Sequence, residues 1–418
     1  MLMDRGDARR PGGGRRIAIF SHTHPSLTSG GAEISAYNLF QGLRAIGWDA
    51  VLVAACEEND LDRISLGLNE FALPVRGIVY DHFYHISPLD VRRSLVRLLQ
   101  EQNVTLLNAH HFLHIGIGAF EDVASAGIDV VFTIHEYLAI CHNHGQLVTR
   151  PSQILCHGPC PAACHRCYPE HSKQQFAVRQ QHVAAALDHV SAFVSPSRFL
   201  AEKMIAQGLP RERIEVIDNG VSAPAAAQQR QPRAAWRFGY FGQINPFKGV
   251  GVLLDACAVL ARDPALAARV RIAVHGNIIG QPAAFIDKFH AAVEEYSFLS
   301  YLGPYDNHHV GQLMADCDYI VMPSTWWENS PVVIQEAFHA ARPVICTGIG
   351  GMAEKILHGE TGLHFSRNDP ADLADQIAQA ADEALHAKLQ AALPRPLTSI
   401  EMAERYATLF EQVAHTPV

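Results

Sequence analysis

Two glutamates, Glu328 and Glu336, have the spacing that most directly indicates chemistry. They lie in the segment PSTWWENSPVVIQEAFHAARPVI, residues 323–345, which reads as a strand end, a loop and a helix. A helix rises about 1.5 Å per residue, so the two carboxylates can stand on the order of 10 Å apart. Each carboxylate can accept two hydroxyl hydrogen bonds, as a vicinal diol requires. The pair therefore predicts a site that binds hydroxyl groups at two ends of one ligand.

The start of this helix adds an anion-binding element. Ser330 is the predicted N-cap, with Pro331 at the first helical position, where no N–H is missed. The free N–H groups of the first turn, near Val332 and Val333, then point at a bound anion. We assign these residues and Asn329 to the same binding site. The alternative is that Glu328 is an ordinary loop acid and Glu336 an ordinary helix-surface acid. The Trp-Trp and Ser-Pro neighbours favour a binding site instead.

The elements that position these residues belong to an α/β chain. Short apolar runs alternate with amphipathic stretches, the pattern of βα units around a parallel sheet. The strand candidates are residues 16–21, 50–55, 77–81, 104–109, 130–135, 192–196 and 214–218, and then 237–241, 270–275, 298–302, 319–323, 343–346 and 363–365. We predict two Rossmann-like domains that face each other across a cleft, with ligands at the carboxyl ends of the strands.

Length and composition predict the domain boundaries and the cellular location of the protein. The 418 residues suit two α/β domains, which we place at 16–221 and 236–395. A disordered arm, 1–15, precedes them, a polar linker, 222–235, joins them, and a helix in 396–418 crosses back to the first domain. The basic start lacks the apolar core of a signal peptide, and no run of 18 apolar residues exists. The expected location is the cytoplasm, including the inner face of the membrane as a peripheral contact.

The segment with the two glutamates resembles the signature of retaining glycosyltransferases of the GT-B fold, especially glycosyltransferase family 4. In that family two glutamates are separated by seven residues, as Glu328 and Glu336 are here. The resemblance implies that the first contacts the donor sugar and the second the ribose hydroxyls of a nucleotide sugar. It extends over nearly the whole chain.

The segment FGQINPFKG, residues 241–249, resembles the family element in which a basic pair meets the donor diphosphate. Lys248 stands at the lysine position, whereas Gln243 stands where an arginine is usual. Either Lys248 acts with helix N–H groups alone, or a basic residue from elsewhere compensates. The alternative for Lys248 is a solvated loop lysine.

The first half contributes a glycine loop and two histidines. Gly30 and Gly31 follow the first strand, and their N–H groups lead into a helix, so backbone can approach a donor closely. His110 and His135 end two strands at the edge expected to line the cleft. The resemblance implies a donor contact near the reacting carbon for His110. Glu136 follows His135 where the family has an aspartate, and we place both on the acceptor side.

A cysteine-rich insertion, residues 141–171, interrupts the α/β rhythm with what reads as a loop. Cys156, Cys160, Cys164 and Cys167 have the spacing C-x3-C-x3-C-x2-C, and Cys141 precedes them. Four thiolates in a short loop can close tetrahedrally on zinc, so we predict a structural zinc held by four of these five. Related glycosyltransferases resemble the chain at 141, 156, 164 and 167. Free thiols are the alternative.

The predicted activity is transfer of a sugar from a nucleotide sugar to an acceptor hydroxyl, with retention. The diphosphate leaving group would take the acceptor proton, and Lys248 would stabilise its charge. No catalytic metal is expected. The acceptor is a glycan, a lipid-linked molecule, a protein or a small molecule; the net charge of −9 disfavours nucleic acid. A sugar-nucleotide epimerase, a phosphorylase and a non-catalytic sugar-nucleotide or glycan-binding partner of another transferase are the alternatives, the last favoured by Gln243.

Overall fold

A computed structural model describes residues 14–28, 30–150, 152–221 and 234–413. The chain forms two compact units, Met1–Ser222 with Leu397–Val418, and Ala223–Pro396. Most of the predicted arm and linker, residues 1–13 and 222–233, lies outside the described residues. Within the described residues no helix is long and apolar enough to cross a membrane.

The first unit is built on a seven-stranded parallel sheet of order β3-β2-β1-β4-β5-β6-β7. The strands are β1 Arg16–Ser21, β2 Asp49–Glu57, β3 Glu70–Val75, β4 Leu106–Ala109, β5 Asp129–Thr133, β6 Ala192–Ser195 and β7 Ile214–Val216. The helices are α1 Gly31–Ala45, α2 Leu89–Glu101, α3 Ala119–Ser125, α4 Pro161–Cys167, α5 Lys173–Leu187 and α6 Arg198–Ile205. The central strands are buried on both faces, which is why their sequences are continuous apolar runs.

The second unit repeats this architecture with a six-stranded parallel sheet of order β10-β9-β8-β11-β12-β13. Its strands are β8 Trp236–Phe241, β9 Val270–His275, β10 Leu299–Gly303, β11 Tyr319–Met322, β12 Val344–Thr347 and β13 Gly362–Phe365. Its helices are α7 Val250–Leu260, α8 Pro264–Arg269, α9 Ala283–Glu295, α10 Val310–Ala315, α11 Val332–His339, α12 Gly350–Lys355, α13 Pro370–Ala380 and α14 Glu383–Ala391. Strand order reverses between β8 and β11, where open α/β sheets bind ligands.

The last helix, α15 Ser399–Val413, belongs to the first unit, as the predicted crossing helix requires. It packs on α1, and Met402, Tyr406 and Phe410 join the core of the first sheet. A Cβ on Gly42 of α1 would lie 2.3 Å from the Ser399 carbonyl, so the two backbones approach closely. The Tyr406 hydroxyl lies 3.1 Å from Thr133 Oγ1 at the end of β5.

Two Rossmann-like parallel sheets confirm the predicted fold class, but two local predictions were wrong. The third strand is Glu70–Val75, not 77–81, and residues Gly77–Val79 form a 3-10 turn. β3 is an edge strand, where the missing N–H of Pro74 is tolerated. The cysteine insertion is not all loop, because Pro161 starts helix α4 within it.

Candidate active site

Two loops of the second unit are joined where its strand order reverses. The loop after β8, residues 242–249, and the acid loop after β11, residues 323–331, meet through the Thr325 N–H, which donates to the Phe247 carbonyl at 2.9 Å. Gly249 has a left-handed φ of 73°, and a Cβ there would lie 1.7 Å from the Pro323 carbonyl oxygen. Glycine at this position therefore lets Lys248 sit against the acid loop.

Glu328 is the centre of the hydrogen bonding in the acid loop. Its side chain is 8% exposed, and its Oε1 accepts from Lys248 Nζ at 2.7 Å. The same oxygen accepts from Ser324 Oγ at 2.7 Å and from Trp326 Nε1 at 2.8 Å. Three donors fix the orientation of the carboxylate, and one of them is a cation that compensates its charge.

The segment after β12, residues 348–354, includes the start of α12 and holds the backbone of the acid loop. The Gly351 N–H donates to the Glu328 carbonyl at 2.7 Å. A Cβ on Gly351 would lie 1.6 Å from the carbonyl oxygen of Asn329, so a larger residue would displace the acid loop. This segment therefore fixes the position of the acid loop through close backbone packing.

Glu336 lies on α11, and its carboxylate is set apart from that of Glu328. Asn307, which follows β10, donates from Nδ2 to Glu336 Oε1 at 3.4 Å. Burial raises the pKa of Glu336 to about 7, and the Asn307 bond opposes this shift. The same carboxylate adds to burial in raising the pKa of the neighbouring Tyr305 hydroxyl. A carboxyl with this pKa changes its hydrogen-bonding capacity near neutral pH.

The helix start differs by one residue from the prediction. Pro331 is the N-cap of α11, with extended ψ of 119°, and Val332 is the first helical residue, so the prediction of Ser330 as N-cap was wrong. Asn329 and Ser330 are buried in the acid loop. The first-turn N–H groups still begin at Val332 and Val333, as expected for an anion site.

Gln243 is exposed and brings no charge to the loop after β8. Its carbonyl accepts from the Tyr240 hydroxyl at 2.6 Å, so its backbone, not its side chain, has a defined partner. Arg367, after β13, donates from Nε to the Thr325 carbonyl at 2.5 Å. Arg367, Asn307 and Ser324 were not predicted from the sequence, although all three shared one signal, a position soon after a strand end. Trp326 was noted only as part of the Trp-Trp pair beside Glu328.

In the first unit, His110 and His135 form a pair at the ends of β4 and β5. His110 Nδ1 lies 2.9 Å from His135 Nε2, and His110 Nε2 lies 3.1 Å from Asn108 Oδ1. The Asn108 amide donates to Val131 O and Thr133 Oγ1, so its oxygen must accept from His110 Nε2. His110 Nδ1 is then an acceptor, and His135 Nε2 carries the proton between them.

The pair differs in exposure. His110 is 1% exposed with both ring nitrogens engaged, whereas His135 is only partly buried. Burial, reinforced by His135, holds the pKa of His110 well below its usual range. Burial likewise lowers the pKa of His135 to about 3, so both rings are neutral at physiological pH.

Glu136 faces a third histidine. Its Oε1 lies 3.7 Å from His111 Nε2, and its Oε2 accepts from the Leu138 N–H. His111 Nδ1 accepts from the N–H groups of Phe112 and Leu113, so its proton is on Nε2 and faces the carboxylate. Burial raises the pKa of Glu136 to about 8. Glu136, which is one methylene longer than the aspartate expected here, is thus held by His111 and the Leu138 N–H.

The glycine loop after β1 encloses another acid that the sequence analysis missed. A Cβ on Gly30 would lie 2.5 Å from Glu33 Oε2, and Gly31 is the first residue of α1. Glu33 is 6% exposed, and its Oε1 accepts from Thr28 Oγ1 at 2.7 Å and lies 3.4 Å from His22 Nε2. His22 also packs against His111, with ring centroids 4.4 Å apart. Glu33, His22, His111 and Glu136 thus form one run of contacts, with two histidines between two acids.

The five cysteines of the predicted zinc site lie in two different environments. Cys141, Cys156, Cys164 and Cys167 line one cavity of about 50 Å³, while Cys160 is the exposed N-cap of α4. No group of three or more His, Cys, Asp or Glu side chains in the described residues is arranged to hold a metal ion. The structure therefore gives the zinc prediction no support.

Two Rossmann-like units, one carrying a lysine and an acid pair at the reversal of its strand order, define a GT-B glycosyltransferase. Residues 29–223 match the family described as Glycosyltransferase Family 4, and residues 235–383 match Glycosyl transferases group 1. The two matches together span both units, and the predicted resemblance to glycosyltransferase family 4 is confirmed.

Two related proteins, both D-inositol 3-phosphate glycosyltransferases, are similar in sequence to this chain over different lengths. A D-inositol 3-phosphate glycosyltransferase of Pseudarthrobacter chlorophenolicus is 28% identical over 393 residues, 88% of this chain and 87% of the relative. One of Stackebrandtia nassauensis is 29% identical over 174 residues, 41% of this chain and only 39% of the relative.

Solved structures share the fold at low identity. Anabaena HepE, solved with UDP and glucose, has a TM-score of 0.67 and 18% identity, covering 95% of this chain and 100% of HepE. A glycosyltransferase from Rickettsia africae has a TM-score of 0.69 and 14% identity, covering 96% and 99%.

Proposed function

We propose that the protein transfers a sugar from a nucleotide sugar to an acceptor hydroxyl, with retention of the anomeric configuration. The observation that carries the proposal is the pairing of Lys248 with Glu328 beside the start of α11. In this proposal Lys248 binds the diphosphate with the first N–H groups of α11, and Glu328 binds sugar hydroxyls. Glu336 supplies the second carboxylate, for the ribose diol.

In the proposed reaction the acceptor oxygen bonds to the anomeric carbon as the bond from that carbon to the diphosphate oxygen breaks. The acceptor proton passes to the departing diphosphate on the same face, so the products are the glycoside and the nucleoside diphosphate. Lys248 and the N–H groups of Val332 and Val333 stabilise the charge that develops on the diphosphate. Arg367 is the basic residue that we assign to compensate for Gln243, because its guanidinium lies against the acid loop.

We assign the contact near the reacting carbon to His135 rather than His110. His110 is fully buried, and both its nitrogens are engaged within the unit. It holds His135 in one tautomer, as a neutral ring that donates and accepts hydrogen bonds without a charge. Gly30 and Gly31 supply backbone N–H groups to the donor, and Glu136 binds the acceptor.

The donor base is proposed to be uracil, by analogy with HepE, which was solved with UDP-glucose. D-inositol 3-phosphate, the acceptor in the relatives' name, is one acceptor to test. Peripheral contact with a membrane and a cytoplasmic location stay predictions of the sequence.

The test is incubation with UDP-, GDP-, ADP- and dTDP-sugars, with and without acceptors, followed by the release of nucleoside diphosphate. Slow hydrolysis of one donor, faster with an acceptor, is expected. NMR of the product anomer reports retention. Binding without any turnover would instead support the second candidate, a non-catalytic sugar-nucleotide-binding partner, which the uncharged Gln243 favours.

A further inference from the structure

Trp326 contacts both charged residues of the acid-loop ion pair. Its indole N–H donates to Glu328 Oε1 at 2.8 Å. Its ring lies beneath the Lys248 ammonium, with Nζ 5.5 Å from the ring centroid, within range of a cation–π interaction. The indole of Trp326 thus contacts Glu328 through its N–H edge and Lys248 through its ring face.

The donors to Glu328 are of two kinds. Lys248 is a cation on a flexible stem, whereas Ser324 and Trp326 are neutral donors within the acid loop itself. All three bind Oε1, which leaves Oε2 to accept from hydroxyl groups of a ligand. The neutral donors therefore determine which oxygen of Glu328 is presented.

Lys248 and Glu328 have different roles once the nucleotide sugar binds. The proposed function requires the Lys248 ammonium to face the diphosphate, and any turn in that direction weakens its bond to Glu328. A carboxylate that is 8% exposed cannot lose its cation without another donor, because an unpaired buried charge is costly. Trp326 is placed to keep Glu328 bound while its ring keeps Lys248 nearby.

We propose that Trp326 is a positioning residue that holds Glu328 by its indole N–H and guides Lys248 by its ring face, so that the lysine can turn to the diphosphate. This inference rests on the proposed function. It assigns separate tasks to the N–H and to the ring, and the two can be removed separately.

The kinetic test compares Trp326→Phe, Trp326→Leu and the control Trp327→Phe, which alters the neighbouring buried indole. Trp326→Phe keeps a ring but loses the N–H, so turnover should fall about 10-fold or more while UDP affinity stays within twofold. Trp326→Leu should lose turnover and also weaken UDP binding several-fold. Trp326→His, which retains an aromatic N–H, should recover part of the turnover. Trp326→Phe turnover within twofold of wild type, or a fall matched by Trp327→Phe, would overturn the inference.

A second readout does not need activity. The chain has four tryptophans, so a spectrum of 15N-labelled indoles shows four N–H signals, and Trp326→Phe identifies one. That signal should exchange slowly with solvent and shift in Glu328→Ala. Exchange at the rate of an exposed indole, unchanged in Glu328→Ala, contradicts the proposed bond. If wild type turns over no donor, the proposed function fails, while this measurement still tests the position of Trp326.

Discussion

The ammonium of Lys248 lies 2.7 Å from the carboxylate of Glu328, although 80 residues separate them in sequence. The pair joins the loop after β8 to the loop after β11, and those strands are neighbours in the second sheet. Because the two form an ion pair, each residue partly neutralises the charge that the other presents to a ligand.

Glu328→Ala should reduce transfer at least 100-fold, because the variant loses the acceptor for the sugar hydroxyls and leaves Lys248 unpaired. The fold should persist, since the lysine side chain is 31% exposed and can be solvated. Initial rates, together with a thermal unfolding curve, check both parts. Near-wild-type turnover in this variant would remove Glu328 from the site.

Donor binding should depend on pH through Glu336, whose pKa burial raises to about 7. The ionised carboxylate accepts both ribose hydroxyls, so UDP affinity should rise with pH up to about 7 and then level off. Stability should move the other way: the folded pKa lies above the model-compound value of 4.5, so the free energy of unfolding falls as pH rises from about 4.5 to 7.

Calorimetric titrations with UDP from pH 5.5 to 8.5 measure the binding effect. Glu336→Gln is the control, because an amide does not titrate; it should bind more weakly and show a flatter profile. An unchanged pH profile in Glu336→Gln would assign the titration to another group.

Gly249→Ala should destabilise the second unit by more than about 2 kcal/mol, because it combines a left-handed φ with a clash against the Pro323 carbonyl. Gly251→Ala, two residues along in α7, meets no atom within 4 Å and should add about 0.5–1 kcal/mol. Chemical unfolding of both variants tests the contrast. Equal effects would mean that the loop relaxes around a side chain.

His135→Ala should lower turnover more than His110→Ala at equal stability loss, because the buried His110 acts through the ring of His135. The pKa of His135 is lowered to about 3 by burial, so no titration of this histidine should appear in turnover above pH 5. The profile of turnover against pH, measured for both variants, decides between the two roles. A larger loss in His110→Ala would restore the direct contact to His110.

The fold was largely predictable from local patterns, because apolar runs mark parallel strands that are covered on both faces of each sheet. Glu328 and Glu336 were proposed as site residues from their spacing and the family resemblance, and Lys248 from the resemblance; their roles stay predictions. The edge strand β3 contains Pro74, which is uncommon inside a strand but tolerated at a sheet edge, and edge position is not visible in the local pattern.

The amino-acid sequence by itself determined the two sheets, the acid pair and the glycines that allow close backbone approach. Only the tertiary structure decided which atoms meet: three donors on one Glu328 oxygen, Asn307 on Glu336, and His110 buried behind His135. These contacts join residues distant in sequence, and burial, which depends on every packed neighbour, sets the pKa of Glu336 and Glu136. Neither the distance between such residues nor their burial can be derived from local spacing. The spacing of the cysteines predicted a zinc site, which the described residues do not support.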